Sequence, residues 1–179
     1  MKRTKQIVLI SLFSCISVVF DIVKEFIPFI NMPNGGSINI SLIPIVCICF
    51  ILDTKSGLIC AIISFIISSI FGLNNIYISL PQYFFDYIIP SICVGLSGIF
   101  YKNKNLFNME LGIIVCMFVR FFSITISGAY FWLSDTIIAG SKEAFIGSFI
   151  YNFPYSIATL IMLVIIVPII VRVLNKYLL

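Results

Sequence analysis

Leu80-Pro81-Gln82-Tyr83-Phe84-Phe85-Asp86-Tyr87-Ile88-Ile89-Pro90-Ser91-Ile92-Cys93-Val94-Gly95-Leu96-Ser97-Gly98-Ile99-Phe100 holds a single charge, that of Asp86. A stretch of about 20 predominantly apolar residues matches the hydrocarbon layer of a bilayer. A carboxylate inside such a span costs at least ~2.5–3.5 kcal/mol on insertion scales, so an acid there points to a functional site. The neighbouring Tyr83 and Tyr87 suit a cationic, aromatic small molecule.

The same apolar character recurs along the whole chain of 179 residues, which is 61% hydrophobic and only 10% charged. That excludes an ordinary soluble domain and gives one all-α membrane bundle over residues 1–179. Six helices are expected. The first runs over Gln6–Phe26 and stops at Pro28; the second and third cover Ile38–Leu52 and Ser56–Phe71. The fourth is Leu80–Phe100, with Pro81 suited to its first turn. The fifth is Met109–Leu133 and the sixth Glu143–Leu174, with Pro154 and Pro168 predicting a kink or an extension beyond the membrane. The second and third are short for a full crossing, which implies thin bilayer, little tilt or shielding by neighbours. Leu12-Phe13-Ser14-Cys15 approaches a lipoprotein cleavage site, but Phe13 is too bulky for it, and the first helix is read as uncleaved.

Loop charge sets the orientation. Lys2, Arg3, Lys5, Lys55, Lys102, Lys104, Arg172 and Lys176 fall on one face, and Lys142 alone on the other. The positive-inside rule then puts both termini in the cytoplasm of a multi-pass cell-membrane protein. The opposite loops, Met32–Ser37 and Gly72–Ser79, are uncharged and rich in Gly or Asn. They read either as lids over a pocket or as plain turns.

Polar residues share helix faces. Tyr83, Asp86, Tyr87 and Pro90 stand at i, i+3, i+4 and i+7, with Gln82 beside them. Ser148, Tyr151, Asn152, Tyr155, Ser156 and Thr159 form a polar stripe on the last helix. Such groups must face the bundle interior, where they either glue helices or line a site. Asp86 has a second reading, as a buried ion pair with Arg120. Trp132, the only Trp, reads as an interfacial anchor or as a stacking platform at a pocket mouth. Asp21 and Lys24 are spaced to pair, with snorkelling relieving the rest.

Ser11, Ser14, Cys15 and Ser17 are small residues that allow close helix approach, either inside the bundle or toward another membrane protein. The six cysteines lie in apolar runs and the chain has no His, so they read as packing residues and no metal or cofactor is expected. No catalytic set, phosphate loop or nucleophile elbow is present, so the chain is not read as an enzyme. Any active transport has to draw its energy from a partner.

Tyr77-Ile78-Ser79-Leu80-Pro81-Gln82-Tyr83-Phe84-Phe85-Asp86-Tyr87-Ile88-Ile89-Pro90 resembles the acid-bearing segment of the thiamine-specific S components of energy-coupling factor (ECF) vitamin transporters. That family has Tyr…Ser-Leu-Ser-Gln…Glu-Tyr…Ala-Pro, so Asp86 takes the place of its Glu. Gly128-Ala129-Tyr130-Phe131-Trp132 is similar to its Gly-x-x-Phe-Trp, and Asn152 to its pocket Asn. The resemblance implies a substrate site built from Asp86, Tyr87, Trp132, Asn152, Gln82, Tyr83 and Tyr151. It implies docking of Ser11, Ser14, Cys15 and Ser17 on an ECF transmembrane coupling subunit that works with two ATPase subunits. The expected ligand is thiamine or a close relative; the surroundings are lipid, with no nucleic acid. Ile124, Gly147 and Asn39 stand where the family carries His, Tyr and Glu, and Gly35 or Gly36 where it carries Trp. An S component for another vitamin or precursor, or a non-transport structural membrane protein, are the competing readings.

Overall fold

The computed structural model describes residues 3–32, 36–73, 76–103, 105–132 and 137–178. Lys2, Lys104, Leu133, Asn74, Asn75 and the Pro33-Asn34-Gly35 tip of the first loop lie outside them. The described chain is helical: α1 (Arg3–Glu25), α2 (Leu42–Ile51), α3 (Thr54–Ile70), α4 (Leu80–Tyr83), a π turn (Phe84–Ile88), α5 (Ile89–Gly95), a 3-10 segment (Ser97–Asn103), α6 (Leu106–Phe131) and α7 (Lys142–Leu178). Four helical stretches are long and apolar enough to cross a membrane: Arg3–Glu25, Leu80–Tyr101, Leu106–Phe131 and Lys142–Tyr177. The shorter apolar α2 and α3 complete the six expected helices.

Why α2 is short follows from where it sits. It packs against α1, α3, α5 and α7, and every residue from Pro44 to Ile51 is buried. A helix shielded by protein on all sides reads as apolar all round and has no need to match the bilayer thickness. Its expected start at Ile38 moves to Leu42. The preceding chain is extended instead, with Ile38 N donating to Ile30 O at 2.9 Å and Asn39 N donating to Thr159 Oγ1 at 3.1 Å. Asp53, capping the next helix, accepts from Ser56 N at 2.7 Å, which satisfies one of the orphan donors of α3.

α7 continues as one helix through Pro154 and Pro168 for 37 residues, about 55 Å at about 1.5 Å per residue. The helix is longer than a hydrocarbon layer of about 30 Å. Its outer face carries exposed Ile161, Ile165, Ile169 and Val173 at i, i+4 spacing, the pattern of a surface facing lipid.

The two ends of the bundle differ. At one end Leu9, Ile10 and Phe13 of α1, Phe50 and Ile51 of α2, Met109 of α6 and Val171 of α7 join a single apolar core. At the other end the helices splay around a cavity of about 970 Å³. The cysteines fit the packing reading: Cys47, Cys49, Cys60 and Cys116 are buried and all six are free.

The small-residue patch of α1 does not form one outward face. Ser14 and Ser17 are buried. Ser14 Oγ donates to Ile10 O at 2.8 Å and lies 3.4 Å from Cys60 O of α3; Ser17 Oγ donates to Ser41 O at 2.8 Å. Buried hydroxyls need such partners, and here the partners belong to the bundle itself. Ser11 and Cys15 alone of the four are exposed, among Ile7, Val8, Leu12 and Val19.

Candidate functional site

Asp86 owes its setting to an irregularity in its own helix. Pro90 has no N–H for the carbonyl four residues back, which is that of Asp86. The chain widens there into a π turn, in which Ile89 N donates to Phe84 O. Such single turns mark functional sites more often than chance. The widening frees Phe85 O from its usual helical donor, and Ser123 Oγ of α6 takes it at 2.6 Å. In an apolar interior that bond is required.

Two donors hold the carboxylate from either side. Gln82 Nε2 donates to Asp86 Oδ2 at 2.7 Å, and Trp132 Nε1 donates to the same oxygen at 2.8 Å. Asp86 Oδ1 takes no hydrogen bond among the described residues. Gln82 is fully buried and spends its other capacity on the loop before α4: Oε1 accepts from Ile78 N at 3.1 Å and Nε2 lies 3.4 Å from Ile76 O. Gln82, expected at the ligand, is not among the residues that line the cavity and bonds both loop and acid. Trp132 caps α6 and is 37% exposed. Its N–H is committed to Asp86, which fixes how the indole is held at the cavity.

Asp86, Tyr87, Pro90, Trp132, Tyr151 and Asn152 all line the cavity. Tyr83 does not, although ideal spacing puts it on the same face. Its ring lies against Phe65, Tyr77 and Tyr87, 4.9 Å from the last, and its hydroxyl is 3.3 Å from Ser69 Oγ. It supports Tyr87 from behind. The π turn explains the difference, because the i, i+3, i+4 rule assumes 3.6 residues per turn.

The stripe on α7 is both glue and lining. Ser148 Oγ donates to Thr125 O of α6 at 2.8 Å. Asn152 Nδ2 donates to Ser148 O at 2.9 Å, and Asn152 Oδ1 accepts from Tyr155 Oη. Tyr155, part of the stripe but not of the expected site, thus belongs to it through Asn152. Tyr151 Oη accepts from Gly36 N at 3.1 Å. A Cβ on Gly36 would come within 2.6 Å of the Tyr155 ring, so the loop between α1 and α2 rests directly on this pair and only Gly fits there. That loop and the one between α3 and α4 line the cavity, through Met32, Gly36 and Ser37 and through Leu73, Ile76 and Ile78.

The second reading of Asp86, an ion pair with Arg120, is not met: no such pair occurs among the described residues. Among the described residues the one ion pair is Lys24 Nζ to Asp21 Oδ1 at 3.0 Å, the pairing expected on α1, and Ser68 Oγ donates to Asp21 Oδ2 at 2.9 Å. Arg120, Asp21, Lys24 and Ser17 line the cavity. Ser17 therefore faces the cavity wall, and the α1 charges read as structural border it as well. Their i, i+3 spacing signalled the pair, but nothing in the sequence placed it on the same cavity as Asp86.

The chain is similar to the thiamine transporter ThiT of Bacillus subtilis (strain 168), at 29% identity over 147 residues, 74% of each chain. Its fold matches a solved structure of ThiT from Listeria monocytogenes, with a TM-score of 0.70 over 98% of this chain and 96% of that one at 19% identity. The family model described as "Thiamine transporter protein (Thia_YuaJ)" matches residues 7–179. On that match over nearly its whole length, the chain belongs to the thiamine transporter protein family, a family of membrane transporters and not of enzymes.

Proposed function

We propose that the chain is the substrate-binding S component of an ECF-type transporter, taking up thiamine or a close relative across the cell membrane. The observation that carries the reading is the doubly braced carboxylate: Oδ2 of Asp86 is engaged by Gln82 and Trp132, while Oδ1 takes no hydrogen bond among the described residues. A thiazolium-like cation at Oδ1 gains a charge-assisted contact. The indole face of Trp132 and the Tyr87 ring add cation–π attraction, about 0.5–2 kcal/mol each. Asn152 and Tyr151 present the polar wall for a pyrimidine-like ring.

With both termini in the cytoplasm the cavity opens outward, under the loops that carry Gly36 and Ile76. The chain holds no nucleotide site of its own, so transport is energised by a transmembrane coupling subunit with two ATPase subunits. Ser11 and Cys15, with the exposed apolar residues around them, are the contact surface on α1.

Trp132 is the only Trp and touches Asp86, so fluorescence of the purified protein tests the reading. Saturable quenching by thiamine is expected. No quenching, together with thermal stabilisation by a different vitamin, would reassign the ligand. No response to any vitamin and no co-purification with a coupling module would overturn the transporter reading.

Gln82 offers a finer check. Gln82→Leu removes one of the two donors to Asp86 and the loop contacts, but no group placed on the ligand. A lost hydrogen bond to a charged group is worth about 1.5–3 kcal/mol. We expect roughly 10-fold weaker thiamine binding by calorimetry, with Gln82→Glu worse because it sets a second carboxylate against the first. Unchanged affinity in Gln82→Leu would remove the bracing role.

A further inference from the structure

The other end of the bundle carries a second crevice, of about 450 Å³, between the end of the fourth span and α7. Tyr101, Leu106 and Met109 form one wall; Ile169, Arg172 and Asn175 form the other. Leu106 and Ile169 are 56% and 60% exposed, so the crevice opens onto the lipid-facing surface. Its level in the membrane can be read from α7. No Lys, Arg, Asp or Glu occurs between Glu143 and Arg172, so Arg172 is the first charge as this helix leaves the apolar layer. Tyr101 beside it is a residue type favoured at the membrane–water boundary.

Polar atoms of Arg172 and Asn175 there take no hydrogen bond among the described residues, while Lys176 Nζ lies over the Tyr177 ring, 5.7 Å from its centre. Arg172 makes no hydrogen bond or ion pair among the described residues, and Lys176 follows it by one turn on the same face, exposed. Asn175 Oδ1 is buried with no hydrogen-bond partner. A buried acceptor left unpaired costs about 1–3 kcal/mol, so such an atom points to a missing donor. No acidic residue lines the crevice.

We propose that this crevice is a binding site for an anionic phospholipid with a hydroxyl-bearing headgroup, of the phosphatidylglycerol type. The phosphate sits on Arg172, with Lys176 adding to the field. A headgroup hydroxyl donates to Asn175 Oδ1, and an acyl chain lies along Leu106 and Ile169. The combination of cations, an open acceptor and an apolar wall at one depth fits a lipid molecule better than a soluble anion, which has no use for the wall. Basic residues near the membrane surface each add about 1 kcal/mol of attraction to anionic lipid. The proposal is independent of the ligand in the large cavity.

Native mass spectrometry of the full-length protein tests it, after equilibration with nanodiscs holding phosphatidylglycerol, phosphatidic acid and phosphatidylcholine in equal amounts. Wild type is expected to retain phosphatidylglycerol preferentially. Arg172→Gln should lower that retention roughly fivefold, and Asn175→Leu should erase the preference for phosphatidylglycerol over phosphatidic acid, which lacks the headgroup hydroxyl. Helical circular dichroism and the thermal midpoint should be unchanged in both variants, which separates loss of the lipid from loss of the fold. Equal retention of phosphatidylglycerol and phosphatidylcholine by wild type, retention unchanged in both variants, equal retention of soluble glycerol phosphate, or displacement of the lipid by an added coupling subunit seated in the crevice would overturn it.

Discussion

Asp86→Asn is expected to weaken thiamine binding by roughly 30- to 150-fold, the equivalent of about 2–3 kcal/mol, while the purified protein keeps its fold. The substitution is nearly isosteric. The side-chain carbonyl of Asn still accepts from Trp132 Nε1, whose bond to the acid measures 2.8 Å. What disappears is the negative charge opposite the ligand's cation, in surroundings where water screens it poorly. Titration of a neutral pyrimidine fragment provides the contrast: because it carries no thiazolium, its affinity should change far less. An affinity for thiamine within roughly threefold of wild type, well under the tenfold that about 1.4 kcal/mol represents, would show that Asp86 is not the counter-ion. Asp86→Glu separates charge from reach, since it restores the carboxylate one methylene further out; partial recovery is the expected result.

Gly112→Val should be the most damaging of the packing substitutions. A Cβ at Gly112 lies 2.0 Å from the backbone oxygen of Ser97, so the obstacle is main chain and no rotamer change relieves it. α6 and the Ser97–Asn103 segment would have to part. Overpacking of this kind costs about 1–3 kcal/mol, occasionally more, and we expect the upper end, a fall of roughly 6–12 °C in the thermal midpoint. Gly147→Ala is the control. A Cβ there meets nothing within 4 Å, and Ala in a helix interior is favoured over Gly by about 1 kcal/mol. Equal melting of Gly112→Val and wild type would mean that the helix and the turn are not held at this spacing.

Much of the architecture was legible because a bilayer leaves few choices: apolar length gives helices, and costly polar groups give the site. Asp86, Tyr87, Trp132, Tyr151 and Asn152, expected at a substrate site from polarity or from the family resemblance, all line one cavity. Where the structure departs from the reading, local geometry is the reason. Tyr83 does not line the cavity; it adjoins the π turn, where a periodicity of 3.6 fails, while Gln82 keeps its i, i+4 contact with Asp86. Ser14 and Ser17 were read by size and spacing, which do not say which side of a helix faces its neighbours. An ion pair with Arg120 was one of two readings of Asp86; the acid is engaged instead by neutral donors, one of them Trp132, a residue type usually read as a membrane anchor. α2 began late because the residues before it bond to α7 through Thr159, a contact 120 positions away in sequence.

The burial of α2 also bears on how the protein is made. Ten residues span about 15 Å as a helix, half of a ~30 Å hydrocarbon layer. Emerging from the ribosome, such a segment is too short to partition into lipid by itself. It has to enter as a hairpin with α3, turning at the capped Asp53, and it is left with unmatched ends until α5 and α7 arrive to surround it. Biogenesis therefore depends on residues more than a hundred positions downstream, and a chain stalled before α7 would present its most apolar helix to the quality-control proteases of the membrane.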